Sequence, residues 1–206
     1  MRPHAPCPTP KLTLSLALAL LTGCALPAGA PGTVGVDALP PPGTGTLRQD
    51  EVSVSLGSGD LQIKVTPLSE SVTRTTAPDT YRRLSGLAGR FGPEAARHAH
   101  TEQPQLFLVS FYSESPDVPF VPEELQLISQ GTRYRPAAIL PVTPGWGRRR
   151  VAQRQTEMAV YVFDSGVDLE STLVVVYGLV ESSAWDTILP RVRAERARAS
   201  TRGGPS

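Results

Sequence analysis

The stretch EVSVSLGSGDLQIKVT, residues 51–66, alternates apolar and polar side chains on both sides of a Gly-Ser-Gly-Asp turn. A period of two places alternate side chains on opposite faces of a strand, and a glycine-rich turn between two such runs is typical of a β-hairpin. Gly57 and Gly59 are interpreted as turn residues, because a phosphate-binding loop would require a following helix rather than a strand. The predicted core face carries Val52, Val54, Leu56, Leu61, Ile63 and Val65.

Strand patterns recur further along the chain, mainly in residues 106–112, 156–163 and 173–180. The first of these runs is nearly all apolar, as expected for a central strand buried on both faces. About seven strands separated by turn signals predict a mainly β fold, an antiparallel β-sandwich.

Helical patterns are confined to two parts of the chain. Apolar residues at helical spacing over residues 79–91 indicate a short helix, and Pro93 favours the start of a second one. These residues predict a helical insertion at about residues 79–100 between two strands. A short C-terminal helix is expected near Trp185, with an interruption at Pro190.

The first 23 residues have the layout of an export signal. Arg2 and Lys11 precede an apolar run at residues 12–21, and the small residues Thr22 and Gly23 follow it. The apolar run is too short for a transmembrane helix, which requires about 20 residues. The sequence therefore predicts that the protein is exported.

Residues 21–24, Leu-Thr-Gly-Cys, resemble the lipobox of bacterial lipoproteins. In that family cleavage falls before the cysteine, whose sulfur carries a diacylglycerol. The resemblance implies that Cys24 is the lipidation site and that acyl chains hold the protein to a membrane. Ala25, a non-acidic residue after the cysteine, favours outer-membrane sorting in such proteins. The alternative is ordinary secretory cleavage after Ala28 or Ala30.

A second resemblance covers residues 106–178. Its motifs are LFLVSF at 106–111, FVPEELQL at 120–127, GTRYRP at 131–136 and EMAVYVFD at 157–164. Together they are similar to the telokin-like, immunoglobulin-like β-sandwich domain found in many bacterial lipoproteins. The resemblance implies an immunoglobulin-like sandwich. Because that family carries no established catalytic residues, it implies no catalytic role.

These observations predict four segments. They are a cleaved signal peptide at 1–23, the lipidated cysteine with a flexible Pro/Gly tether at 24–48, the sandwich domain at 49–190, and a basic tail at 191–206. The 20 basic and 19 acidic residues nearly cancel, which argues against nucleic acid as a partner. Both cysteines precede residue 25, so the predicted domain has neither a free thiol nor a disulfide.

One candidate metal cluster consists of His98, His100 and Glu102. In a strand the three side chains would share a face and could act as ligands, whereas in a helix residues two apart diverge. The preceding residues 94–97 favour helix or loop. We therefore interpret these residues as solvated loop side chains and predict neither a metal nor another cofactor.

A second candidate cluster is acidic. Asp164, Asp168 and Glu170 lie in one turn, and calcium prefers clustered oxygen ligands. The spacing lacks the alternating acidic positions and the distal glutamate of a calcium loop. A polar hairpin turn is therefore the favoured interpretation.

The third candidate is basic. Arg148, Arg149 and Arg150 follow Trp146 and could bind phosphate groups of an anionic lipid or polyanion. The basic segment that follows Pro190 could add Arg191, Arg193, Arg196 and Arg198. A solvated arginine-rich loop is the favoured alternative, since charge runs are usually solvated.

No nucleophile motif of the G-x-S-x-G or Ser-x-x-Lys type is present. The sequence predicts a non-enzymatic protein of the cell envelope, anchored by lipid, at the periplasmic face of the outer membrane of a diderm bacterium. Its expected partners are the membrane and an unidentified envelope protein or ligand. The alternatives are a metal-binding protein or enzyme using His98 and His100, and polyanion binding through the three arginines.

Overall fold

The computed structural model describes residues 39–99 and 103–202. Within these ranges the chain forms eleven strands and three α-helices. The strands are Val54–Ser58 (β1), Leu61–Pro67 (β2), Gln105–Ser113 (β3), Val118–Pro119 (β4), Leu125–Ser129 (β5), Thr132–Tyr134 (β6), Ala138–Pro141 (β7), Arg150–Val151 (β8), Gln155–Phe163 (β9), Leu173–Tyr177 (β10) and Val180–Ser182 (β11). The helices are Glu70–Thr73 (α1), Pro78–His98 (α2) and Trp185–Arg202 (α3).

The strands form two main antiparallel sheets. The first sheet has the order β1-β2-β3-β9-β7, and the second has the order β11-β10-β5-β6. Apart from the additional edge strand β1, these orders match the A-B-E-D and G-F-C-C′ sheets of immunoglobulin domains. Strands β4 and β8 form a separate two-stranded ribbon. The predicted mainly β, immunoglobulin-like antiparallel sandwich is confirmed.

The core between the two sheets follows from the alternation seen in the sequence. Strands β1 and β2 form the predicted hairpin, with Val54 paired with Val65 and Ser58 paired with Leu61. Strand β3 is central, between β2 and β9, as its apolar run predicts. Its inward side chains meet the second sheet in one large cluster that includes Phe107, Val109, Phe111, Leu125, Leu127 and Val175.

Helix α2 covers part of the outer face of the first sheet. Leu84, Phe91 and Ala95 of the helix pack with Leu108 and Val160 of the sheet. The predicted new helix at Pro93 is wrong, since one helix runs through that residue. Gly92 has no Cβ to clash with the proline ring, and the helix is buried against the sheet on both sides of Pro93.

Helix α3 also differs from the prediction. It continues through Pro190 to Arg202, so the expected interruption is wrong. Leu189 before the proline and Val192 after it are both buried, and this packing stabilises the helix on either side. Residues 191–202 of the predicted basic tail are therefore helical, with Ala199 also buried. No helix in the described ranges is long and apolar enough to cross a membrane.

Candidate functional site

Strand pairing defines two ends of the sandwich. Ser113 of β3 pairs with Leu61 and Gln155 at one end, whereas Gln105 pairs with Phe163 at the other. The β1–β2 turn at residues 59–60 lies at the first end together with three longer or more exposed connections, which we call the loop end: residues 114–124, 142–154 and 178–179. They correspond to the B–C, D–E and F–G loops of an immunoglobulin domain. Loops at one end of a rigid sandwich commonly carry its binding residues.

Two tyrosines fasten the loop at residues 114–124 to the sheets. The hydroxyl of Tyr161 donates a hydrogen bond to the Pro122 carbonyl at 2.9 Å, and the Val121 amide donates to the Tyr177 hydroxyl, also at 2.9 Å. Burial raises the pKa of both tyrosines above the ordinary value, so both hydroxyls stay protonated at neutral pH. The ribbon of β4 and β8 then joins this loop to residues 142–154.

An aromatic cluster supports the loop end from below. Phe111 of β3 stacks on Phe120 with ring centroids 4.6 Å apart, and Phe120 meets Trp146 edge-on at 5.0 Å. Trp146, which the sequence places in a loop, is only 6% exposed. Aromatic pairs contribute stability beyond their buried area, so these loops are supported by a well-packed aromatic cluster.

The structure pairs two of the three candidate arginines with acids. Arg149 Nη2 lies 2.6 Å from Glu123 Oε1, and Arg150 Nε lies 2.5 Å from Asp117 Oδ1. The hydrogen bond from Arg150 holds the pKa of Asp117 below its ordinary value. Arg148 is exposed and has no ion pair within the described ranges. Because two guanidinium groups already face carboxylates, the run is not a uniformly basic patch.

Residues of the two ion pairs at the loop end also have unusual backbone conformations. Asp117, Arg149 and Arg154 all have positive φ, between 54° and 55°, a region that side chains with a Cβ rarely occupy. Such conformations persist only where the surrounding structure imposes them, and they are concentrated at binding and active sites. The ribbon and the two ion pairs provide that constraint here.

Two large apolar side chains are exposed at the loop end. Val121 is 43% exposed, and Leu179, at the tip of the β10–β11 hairpin, is 103% exposed. Gly178 allows this tight turn with a φ of 57°, and the Glu124 carboxylate lies beside it. Neither residue is among the site residues predicted from the sequence. The only local signal was a Gly-Leu pair between two short apolar runs.

The arginines of α3 lie away from the loop end. Arg193 and Arg196 pair with Glu170, at 3.2 and 2.7 Å, in the connection that follows β9 at the opposite end of the sandwich. Glu170 is thus used in ion pairs, and Asp168 accepts a hydrogen bond from Gln130 at 2.9 Å. The structure therefore does not bring the α3 arginines together with Arg148, and Glu170 is engaged by cations of the chain itself.

The other candidates lie wholly or partly outside the described ranges. His98 is exposed in the last turn of α2, while His100, Glu102 and Cys24 lie outside those ranges. In the part of the chain that the structure describes, no group of three His, Cys, Asp or Glu residues could hold a metal ion. The histidine cluster stays an untested alternative, and the lipidation site stays a prediction.

The N-terminal segment packs against the end of the sandwich opposite the loop end. We call residues 39–48, the α1–α2 connection at 74–77 and Glu195 the base of the domain. The Leu47 amide donates to the Thr75 carbonyl at 3.0 Å, and the Ala77 amide donates to the Leu47 carbonyl at 2.8 Å. Residues 39–48, which the sequence assigns to a mobile tether, are therefore docked on the folded domain.

Glu195 is the polar centre of the base. Its carboxylate is 2% exposed and accepts hydrogen bonds from the Thr46 amide at 3.0 Å and the Thr46 hydroxyl at 2.8 Å. Arg198 and Arg202 complete its coordination. Burial raises the pKa of Glu195, but the hydrogen bonds from Thr46 and Arg202 outweigh it and hold the pKa below its ordinary value.

Gly45 brings the segment close to the domain. A Cβ on this residue would overlap the carbonyl group of Thr75, so only glycine fits without a backbone shift. The following Leu47 is buried in the main core. The base is thus held by a close backbone contact, a buried side chain and a buried carboxylate.

No protein-family model, no curated protein and no solved structure matches this chain. The assignment of function therefore depends on the residues and their arrangement.

Proposed function

We propose that the chain is a lipid-anchored protein of the cell envelope, attached through Cys24. Its sandwich presents the loop end to an envelope protein and catalyses no reaction. The observation that carries the proposal is the placement of the N-terminal segment at the end of the sandwich opposite the loop end. An anchor on this segment attaches at the base and leaves the loop end free of the attachment point.

Simple lengths support this arrangement. The nine residues of β3 span about 30 Å at the rise of a strand, which sets the approximate distance from base to loop end. Between Cys24 and Leu39 an extended chain reaches at most about 50 Å. The proposed tether therefore limits the distance between the bilayer and the base to about 50 Å. Outer-membrane sorting, implied by Ala25, places the loop end in the periplasm.

The composition of the loop end supports a binding role. Val121 and Leu179 are exposed apolar side chains, and a tyrosine hydrogen bond and an aromatic cluster hold the loop of Val121 in place. Apolar residues on a preorganised surface contribute to affinity because little conformational freedom is lost on binding. Two of the three arginines are already paired with acids, which gives the polyanion alternative less support.

Anchoring is tested by expressing the full chain in a diderm bacterium and analysing its N-terminal peptide by mass spectrometry. The expected peptide begins at Cys24 and carries the mass of its acyl chains, and the protein sediments with membranes. Cys24→Ala should abolish both results, whereas the matched control Cys7→Ala should leave both unchanged. An unmodified N-terminus at another residue would overturn the proposal.

The binding role is tested with a photo-crosslinking amino acid placed at single positions in the anchored protein. Positions Val121 and Leu179 should yield the same crosslinked envelope protein, and Arg82 on the outer surface of α2 should not. A second substitution, Leu179→Asp, should abolish the crosslink from position Val121. Equal crosslinking from the α2 position, or none from the loop end, would remove the loop end as the partner surface.

A further inference from the structure

A cavity of about 530 Å³ lies on the outer face of the first sheet, over strands β1, β2, β3 and β9. Its volume is in the range typical of small-molecule sites. The polar side chains that line it are Ser55, Gln62, Lys64, Ser110, Tyr112 and Thr156. The cavity is on a face of the sheet and involves no residue of the loop end.

The strand register explains how these side chains come together. Lys64 is directly opposite Ser55 on one side and Ser110 on the other. In the next row, Tyr112 is between Gln62 and Thr156. Residues directly opposite each other in antiparallel strands have Cβ atoms about 5 Å apart, so two adjacent rows create one compact polar surface.

The neighbouring rows of the same face are covered by α2. There the outward side chains of β3 and β9 are apolar, as Leu108 and Val160 show, and they are buried in one cluster with residues of the helix. The polar rows begin where the cover of α2 ends, and Tyr112 remains only partly buried. The same sheet face is thus divided into a packed apolar half and an open polar half.

The polar side chains of the cavity have no side-chain partners among the residues that the structure describes. None of the six forms a side-chain hydrogen bond or an ion pair within the described ranges. Lys64 is also the only lysine after Lys11, in a chain whose other cations are arginines. An ammonium group on a flexible stem is a compact charge that can adjust to an anion, and here no carboxylate of the described chain pairs with it.

We propose that this cavity binds an acidic sugar, a pyranose that carries one carboxylate. Lys64 pairs with the carboxylate, and the hydroxyl groups and the Gln62 amide exchange hydrogen bonds with the sugar hydroxyls. The ring of Tyr112 offers an apolar platform for the C–H face of the pyranose. One unpaired positive charge matches one negative charge, which favours a single acidic sugar unit over a polyanion. This role goes beyond the proposed partner binding and does not depend on it.

The proposal is tested by titrating the isotopically labelled full chain with methyl glucuronide and following amide resonances. We expect saturable shifts in β2 and β3, and binding of methyl glucoside that is weaker by about tenfold or more, as loss of a charge-assisted hydrogen bond predicts. Affinity should also fall with added salt, because Lys64 is only half-buried and the cavity is open to solvent. Equal affinity for the neutral sugar, or no saturable binding of the glucuronide, would overturn it.

Substitutions of the residues that line the cavity test whether the glucuronide binds there. Lys64→Met should weaken glucuronide binding about tenfold or more, and Tyr112→Ala should weaken the binding of both sugars. Arg82→Met, which removes an exposed cation of α2, is the matched control and should bind normally. Lys64→Gln is a second variant in case the first is unstable. Unchanged affinity in the folded Lys64 variant would exclude the carboxylate contact.

Two further comparisons separate this proposal from its alternatives. Glucose 6-phosphate should bind more weakly than the glucuronide. Tighter binding of glucose 6-phosphate would show that the cavity prefers a phosphate to a carboxylate and would overturn the assignment. Leu179→Asp, which alters the loop end, should leave glucuronide affinity unchanged. Loss of sugar binding in that variant would contradict a site on the sheet face, whereas failure of loop-end crosslinking alone leaves the sugar site standing.

Discussion

At the base, one buried carboxylate receives two hydrogen bonds from Thr46 and ion pairs from Arg198 and Arg202, whereas at the loop end Glu123 meets a single arginine in solvent. Exposed ion pairs contribute little stability because water and salt screen them. A buried charge that is fully hydrogen-bonded is costly to disrupt, since its partners or the charge itself then lose their compensation. We therefore expect substitutions of charged residues to destabilise the fold more at the base than at the loop end.

The largest expected effect is at Trp185, which joins α3 to the core. It is fully buried, and its indole N–H donates to the Leu169 carbonyl at 3.1 Å. Trp185→Ala should lower the free energy of unfolding by about 3–5 kcal/mol through the cavity that it leaves. Urea denaturation followed by the fluorescence of Trp146 measures this loss. Leu179→Ala is the control, and equal effects of the two variants would contradict the comparison.

Glu195→Gln should lower the free energy of unfolding by about 2 kcal/mol at pH 7, because hydrogen bonds to a charged group are lost. The pKa of Glu195 is depressed in the folded protein, so its contribution is present above the unfolded pKa of about 4.3 and is lost as pH falls through the folded value. The difference between wild type and variant should therefore shrink between pH 7 and pH 3. Denaturant titrations at several pH values measure it.

The matched control for Glu195 is Glu123→Gln at the loop end. Its carboxylate is more than half exposed, so the change in unfolding free energy should stay within about 1 kcal/mol. A difference between wild type and Glu195→Gln that is constant with pH would show that the charge of Glu195 does not stabilise the base.

Gly45→Ala should destabilise the base by about 1–3 kcal/mol, because the new methyl group overlaps the Thr75 carbonyl. Hydrogen exchange should accelerate at the amides of Leu47 and Ala77, whose bonds hold the segment. Gly86→Ala in α2 is the control, since its Cβ would meet open space and alanine favours helix. Unchanged exchange at both amides would mean that the close contact is not required for docking.

The smallest effect is expected at Arg149. Its side chain is 58% exposed, and its φ of 54° is unfavourable for a residue with a Cβ. Arg149→Gly removes the ion pair with Glu123 but relieves the backbone strain, so the two changes nearly cancel, within about 0.5 kcal/mol. The same denaturation measurement applies. A loss above about 1 kcal/mol would show that the loop end depends on this pair as the base depends on Glu195.

The strands could be predicted because their signals are local. Alternation in residues 51–66 and the apolar run at 106–112 correspond to β1, β2 and β3. The full lengths of α2 and α3 were harder to predict, because Pro93 and Pro190 are unfavourable inside isolated helices. Burial of α2 and α3 against the sandwich offsets that local penalty, and tertiary packing is not visible in a local pattern.

The candidate sites, too, have parts that the sequence shows locally and parts that depend on distant residues. The run Arg148 to Arg150 is visible in the sequence, but its acidic partners lie 26 and 33 residues away in the chain. Lys64 and Tyr112 belong to different strands, and only the pairing register brings them to one cavity. Thr46 and Glu195 are 149 residues apart, so no spacing rule could have joined them.

From the order of its residues alone, this chain specifies a β-rich domain, its main hairpin and its central strand, because strand periodicity and turn residues act between neighbours. The folded arrangement specifies which arginines are neutralised, which lysine stays unpaired and where the N-terminal segment docks. Those properties depend on residues that are distant in the chain, and contacts of that kind form only when the two sheets and their helices pack together.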